Sequence, residues 1–138
     1  MLPLMSQESQ HAEVKSAFDQ HEQETKQQIL NLEQCFQALG VAPQRSTCHA
    51  IAGLKQEHDS FLKEKPGGNI LEMFDLGGAA KTENYEIASY KGLIDKAKLM
   101  GQQQCVQLLQ QNLSQEEAMM KRVEMITHQL SQQMLTQA

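Results

Sequence analysis

The chain has 138 residues, enough for one domain with a modest core. Its 17 acidic residues outnumber 12 basic ones for a net charge of −5, and no basic run exceeds two residues, which argues against a nucleic-acid binder. Abundant Gln and Met, three Pro, no Trp and no β-branched run of strand length point to helices and away from sheet.

In chain order, residues 1–10 form a ragged start in which Met1, Leu2, Leu4 and Met5 make one apolar turn or the tail of a missing helix. A first long helix is predicted over 11–39, where Phe18, Thr25, Ile29, Leu32, Phe36 and Leu39 keep the helical period. Gly40 and Pro43 supply its stop. A short helix over 46–62 follows, with Ser46 or Thr47 as cap and Ile51, Leu54 and Phe61 as its apolar side. Pro66-Gly67-Gly68 breaks the chain. A helix over 69–99 has Asn69 as cap. Within it Gly77-Gly78 costs about 1 kcal/mol per Gly relative to Ala, which marks a kink or a close helix crossing. Met100-Gly101 ends that helix, and the last one runs over 102–134 with Val106, Leu109, Leu113, Met120, Val123, Thr127, Leu130 and Met134 as its stripe. The expectation is a single all-α domain over 1–138, an antiparallel bundle joined by short turns.

The carboxylates carry the functional signal. Glu83 falls inside the stripe Leu76, Ala80, Ile87, Tyr90, Ile94, Ala97, and Glu86 lies about 60° away from it on an ideal helix. Glu116 occupies the gap between Leu113 and Met120, where the period expects a core residue. Glu24 faces similarly on the first long helix, three residues after His21. A carboxylate in an apolar stripe costs free energy unless a cation, a metal pair or a polar network satisfies it. Carboxylates facing inward from several helices are the donor set of di-iron and di-manganese bundles, since hard ions take oxygen ligands.

The histidines argue less for a metal. His11, His21, His49, His58 and His128 are scattered and none forms Glu-x-x-His, so His21 reads as a rim residue rather than a ligand. Tyr85 and Tyr90 read as packing residues with satisfied hydroxyls, and Met119, Met120 and Met125 as gap-filling core. Cys35, Cys48 and Cys105 are odd in number, far apart and without a CxxC, which suits buried, inert thiols in a reducing compartment. The start is too short and uncharged for a signal peptide, and no run of 18 apolar residues exists to span a membrane, so the expected location is cytoplasmic.

Four blocks in order resemble one family. They are Ala17-Phe18 through His21 and Glu24-Thr25, Cys48-His-Ala-Ile-Ala-Gly-Leu54, Tyr85-Glu-Ile-Ala-Ser-Tyr90, and Leu108-Leu109 through Leu113 and Glu116. Over residues 11–130 the chain resembles the ferritin-like stress proteins of the YciE/YciF type. The resemblance implies a ferritin-like bundle, a dimer, a dinuclear metal site and a link to stress, with no defined biochemical activity. The departures are equally specific. About 20 residues of the family's first helix, with its carboxylate, look absent, and Leu2-Pro-Leu-Met5 resembles only its end. Lys26 places a positive charge near the site, and Gln111, Ser114 and Gln115 stand where relatives offer further carboxylates.

These readings combine into one expectation: a ferritin-like bundle, incomplete or completed by a partner chain. Glu24, Glu83, Glu86 and Glu116 would hold iron or manganese. The bundle is expected as a homodimer or larger homo-oligomer, with no nucleic-acid or membrane partner. The alternative is a metal-free helical protein with a structural or oligomeric role.

Overall fold

The structure, a computed structural model, describes residues 1–137. Five helices make it up: α1 Leu2–Glu8, α2 Ala12–Ala38, α3 His49–Leu62, α4 Gly68–Leu99 and α5 Gln103–Gln137. No strand occurs among the described residues, and no helix there is long and apolar enough to cross a membrane.

Glycines set the two sharp reversals. Gly40 follows α2 with φ +67°, and Val41 N–H donates to the Phe36 carbonyl across it. Gly101 repeats the arrangement between α4 and α5 with φ +69°, where Gln102 N–H donates to the Ala97 carbonyl. A positive φ strains any residue bearing a Cβ, so Gly closes both helices.

The helix starts differ from the sequence expectation. Cys48 rather than Ser46 or Thr47 stands at the N-cap of α3, and residues 41–48 run exposed before it. Gly67, extended after Pro66, stands at the N-cap of α4, so Asn69 lies inside the first turn. Helix α4 runs unbroken through Gly77-Gly78, and no atom lies within 4 Å of a Cβ built at either, so no close crossing explains the pair. The ragged start is a two-turn helix with Met5 and Ser6 buried.

α5 packs against both α2 and α4, while the backbones of α2 and α4 do not approach each other. These three helices therefore take three corners of a square, with α2 and α4 on its diagonal. The short α1 touches α2 and α4 and stands at the fourth corner. α3 lies on α4, where Phe61 and Phe74 stack with ring centroids 4.2 Å apart.

Two apolar clusters fill the bundle. One gathers Met5, Val14, Phe18, Leu76, Val123 and Ile126 at the α1 end. The other gathers Cys35, Ile94, Ala97, Cys105, Val106 and Leu109 near the α4–α5 turn. Between them the interior is polar.

Part of that polar interior is an amide layer. Asn31 Nδ2 donates to Asn112 Oδ1 at 2.7 Å, and Asn112 Nδ2 donates to the Gln28 carbonyl and the Tyr90 hydroxyl, each at 3.3 Å. Tyr90 in turn donates to Gln28 Oε1 at 3.2 Å. Each member finds a partner on another helix, which is what makes burial of these groups tolerable.

Glu72 is a buried carboxylate that the fold itself satisfies. It accepts the backbone N–H groups of Gln10 and His11 at 2.9 Å each, closing the start of α2 from the neighbouring α4. A helix N-terminus favours a negative charge there.

Among the cysteines, methionines and tyrosines, three readings of the sequence need correction. Cys48 is exposed, because it sits outside the bundle at the start of α3; Cys35 and Cys105 are buried. Met125 is 51% exposed, since the seam of α5 runs through Met119, Val123 and Ile126 instead. Tyr85 is 45% exposed, with its hydroxyl 3.4 Å from Cys48 Sγ.

Candidate metal centre

The remaining polar layer lies between the amide layer and the α1-end core. α2 contributes His21, α4 contributes Glu83 and Glu86, and α5 contributes Glu116. One ligand atom from each of the four lies within 4.8 Å of the others. The helical period accounts for their meeting. Glu83 follows Leu76 and Ala79 by seven and four residues, and Glu116 follows Leu109 and Asn112 by the same steps, so each points where its buried neighbours point.

His21 is buried rather than on the rim, with 2% of its surface exposed. It lies three residues after Phe18 and seven before Gln28, on the face that α2 turns inward, and that spacing was the signal for it. Its Nε2 is 3.2 Å from Glu83 Oε2 and 3.4 Å from Glu116 Oε2.

Of the four expected ligands, Glu83, Glu86 and Glu116 are brought together and Glu24 stands apart. Glu24 is partly exposed behind His21, with Oε2 at 3.3 Å from His21 Nδ1 and Oε1 accepting from Gln20 at 2.8 Å. A carboxylate on Nδ1 holds a proton there, so that a metal displacing the Nε2 proton would find the Nε2 lone pair facing the other three carboxylates.

The electrostatics are those of an incompletely balanced site. Burial pushes Glu83 up to about 8, against the pull of His21. Burial and then the Glu116 charge push Glu86 up to about 7. Burial alone would lower His21, but its contacts with Glu116 and Glu83 outweigh this and raise it to about 11. Burial would likewise raise Glu116, yet His21 and Glu83 hold it well below the usual carboxylate range. Even so, no hydrogen bond reaches Glu83 Oε2 or either Glu116 oxygen, all buried: His21 meets the two Oε2 atoms only at ion-pair distance, and Glu116 Oε1 has neither contact. Buried acceptors of this kind cost several kcal/mol unless a cation meets them, on the order of the penalty for an unpaired polar group. The donor set of three carboxylates and one imidazole fits a divalent metal.

The site is reached from the groove between α2 and α4. A cavity of about 320 Å³ opens there, walled on one side by Met1, Leu2 and Met5 of the α1 region and on the other by Thr25, Glu83 and Glu86. Lys26 lines its mouth with its ammonium 2.7 Å from Glu22 Oε1, a pairing that draws its charge to a neighbour on its own helix.

Comparison with known proteins agrees with the fold. A family model described as a domain of unknown function, DUF892, matches residues 1–136. Protein YciF of Escherichia coli K12 is 27% identical over 118 residues, which span 85% of this chain and 71% of that one. Among solved structures, YcfI of Rhodopseudomonas palustris, described as a candidate structural protein, superposes with a TM-score of 0.84 at 32% identity, over 89% of this chain and 78% of that one. The crystal structure of the E. coli stress protein YciF superposes with a TM-score of 0.88 over 95% of this chain and 83% of that one; at 24% identity it speaks for the fold alone.

Proposed function

The chain belongs to the DUF892 family, the ferritin-like stress proteins of the YciE/YciF type, and from that premise we propose that it is a metal-binding bundle protein that holds iron or manganese. The single observation that carries this reading is the convergence of Glu83, Glu86 and Glu116 on His21, with buried oxygens of Glu83 and Glu116 that no hydrogen bond satisfies. His21, Glu83, Glu86 and Glu116 would be the ligands. Glu24 would orient His21 from behind, through Nδ1. Iron or manganese bound there would supply redox chemistry toward peroxide or oxygen. The chain's own part is to fix the donors on three helices and to admit small molecules through the α2–α4 groove. The amide layer of Gln28, Tyr90 and Asn112 closes the opposite side.

The stress setting is carried over from the E. coli relative, and the cytoplasm is the compartment proposed. A second copy of the chain is proposed to cover the open groove, where it could add a further carboxylate.

A second reading has its own support. His21 within ion-pair distance of both Glu83 and Glu116 can neutralise part of the charge without a metal, and one relative is described as structural. Metal content of protein purified without chelator separates the two. About one iron or manganese per chain supports the metal protein; none, with an unchanged fold after chelator treatment, supports the structural one.

A further inference from the structure

A second cluster of ligating side chains lies outside the site just described. Glu8 at the end of α1, His58 on α3 and Asp75 on α4 converge with one ligand atom each within 4.8 Å of the others. His58 Nε2 is 3.0 Å from Glu8 Oε2 and 3.2 Å from Asp75 Oδ1. Asp75 is 1% exposed, and neither of its oxygens has a hydrogen-bond partner. His58 is 3% exposed, and its Nδ1 is also unpartnered. A cavity of about 10 Å³, on the scale of one water, adjoins His58 and Asp75.

We propose that Glu8, His58 and Asp75 form a second cation site, which takes a divalent transition ion of the zinc type and pins α1 and α3 to α4. The spacing suits such an ion. Ligand bonds of about 2.0–2.1 Å in a tetrahedron place donor atoms roughly 3.3 Å apart, close to both distances found here. The charge suits it too: two carboxylates balance one divalent ion when the imidazole is neutral. Asp59 Oδ1 lies 3.7 Å from His58 Nδ1, too far for a hydrogen bond, but its charge favours the tautomer with the proton on Nδ1 and the Nε2 lone pair free for the metal. Without an ion, a proton on Nε2 serves Glu8 Oε2 at 3.0 Å, and Asp75 Oδ1 meets the ring only at ion-pair distance while Oδ2 has no partner. The small cavity has room for a fourth ligand from solvent.

The role that follows is structural. The backbone of α3 approaches α4 alone, and α1 has only two turns, so an ion held by all three elements would fix both short helices. The site is independent of the proposed iron or manganese centre. It shares no residue with it, and Asp75 lies about 12 Å along α4 from Glu83 at 1.5 Å per residue.

Zinc itself is the probe. Crystals of the full chain soaked in zinc should show an anomalous peak at the zinc edge between Glu8, His58 and Asp75. In equilibrium dialysis, Glu83→Gln should retain zinc at this site, while His58→Gln and Glu8→Gln should each bind one zinc fewer per chain than the parent. Glu8 is the most exposed of the three, so Glu8→Gln keeps the comparison valid if His58→Gln fails to fold. An anomalous map empty at this position, or the parent's zinc stoichiometry in folded Glu8→Gln, would overturn the proposal.

Discussion

Glu83 Oε2 lies 3.2 Å from His21 Nε2, and both side chains are sealed from solvent at 1% and 2% exposure. The pair joins α2 to α4 across the diagonal of the bundle, where the two backbones do not meet. It also places an imidazole nitrogen and a carboxylate oxygen at the head of the α2–α4 groove. The first two predictions test what this contact is for.

Replacing Glu83 by Gln keeps the shape and removes a ligand. Iron or manganese retained through purification should fall nearly to zero, with helical content by circular dichroism unchanged. Since burial raises Glu83 to about 8, the residue is largely neutral at pH 7 in the metal-free protein, and Gln there should not lower the melting temperature. Glu24→Gln should be milder, with metal affinity reduced roughly tenfold, the scale of losing a group that orients a ligating histidine. Equal losses in the two variants would contradict the different roles given to them.

Metal-free protein should be more stable at pH 5 than at pH 8. Glu83, Glu86 and Asp75 are raised to about 8, 7 and 7 from ordinary values of 4.5, 4.5 and 3.8, and His21 to about 11 from 6.5. A group raised on folding stabilises fully below its unfolded value and loses that contribution as pH climbs through its folded one. The carboxylates therefore lose stability between about pH 4 and 8, and His21 continues the loss toward 11. Glu116, which is lowered, acts oppositely but only below its ordinary 4.5. Each 1 kcal/mol lost should lower the melting temperature by roughly 4 °C. Added metal should narrow or reverse the difference, because ligands must shed protons to bind it. A chelated protein that melts higher at pH 8 than at pH 5 would contradict this.

The helix stops and the break before α4 were legible in the sequence because they rest on local sterics, whereas the caps at the starts of α3 and α4 were not. Gly40, Gly101 and the Pro66-Gly67-Gly68 break act where they stand, whatever packs around them. Three of the four expected carboxylates were legible for a related reason: each falls on the apolar period of its own helix. The inner face of α2 was not. Its apolar period points to Ile29, Leu32, Phe36 and Leu39, yet Ile29 is 52% and Leu39 39% exposed. The face that turns inward carries His21, Gln28, Asn31 and Cys35. Hydropathy counts most of these as surface residues. They are buried because Tyr90, Asn112 and Glu116 answer them from α4 and α5, and no local pattern on α2 records those partners. His58 and Asp75 were missed for the same reason.

Asn112 is the hub of the amide layer, and its loss should be costly. Asn112→Ala leaves Asn31 and Tyr90 without it as a partner and opens a cavity, which should cost about 2–4 kcal/mol in urea denaturation. Tyr90→Phe removes only the hydroxyl and should cost about 1–2 kcal/mol. Near-neutral values for both would mean that the layer contributes little to stability.

The open groove and the exposed Ile29 and Leu30 on α2 lead to an expectation about assembly. Light scattering at low micromolar concentration should give at least twice the 15.5 kDa of one chain. A clean monomer mass with a cooperative melt would mean that α1 and α3 close the bundle within one chain.

The most direct test of the central claim is anomalous diffraction from crystals of the protein loaded with iron or manganese, recorded at the edge of the metal supplied. The account predicts a peak enclosed by His21 Nε2 and the carboxylates of Glu83, Glu86 and Glu116, and its disappearance in Glu83→Gln. No peak between these four side chains in the loaded parent, with His21 still bridging Glu83 and Glu116, would contradict it and identify the cluster as a metal-free ionic core.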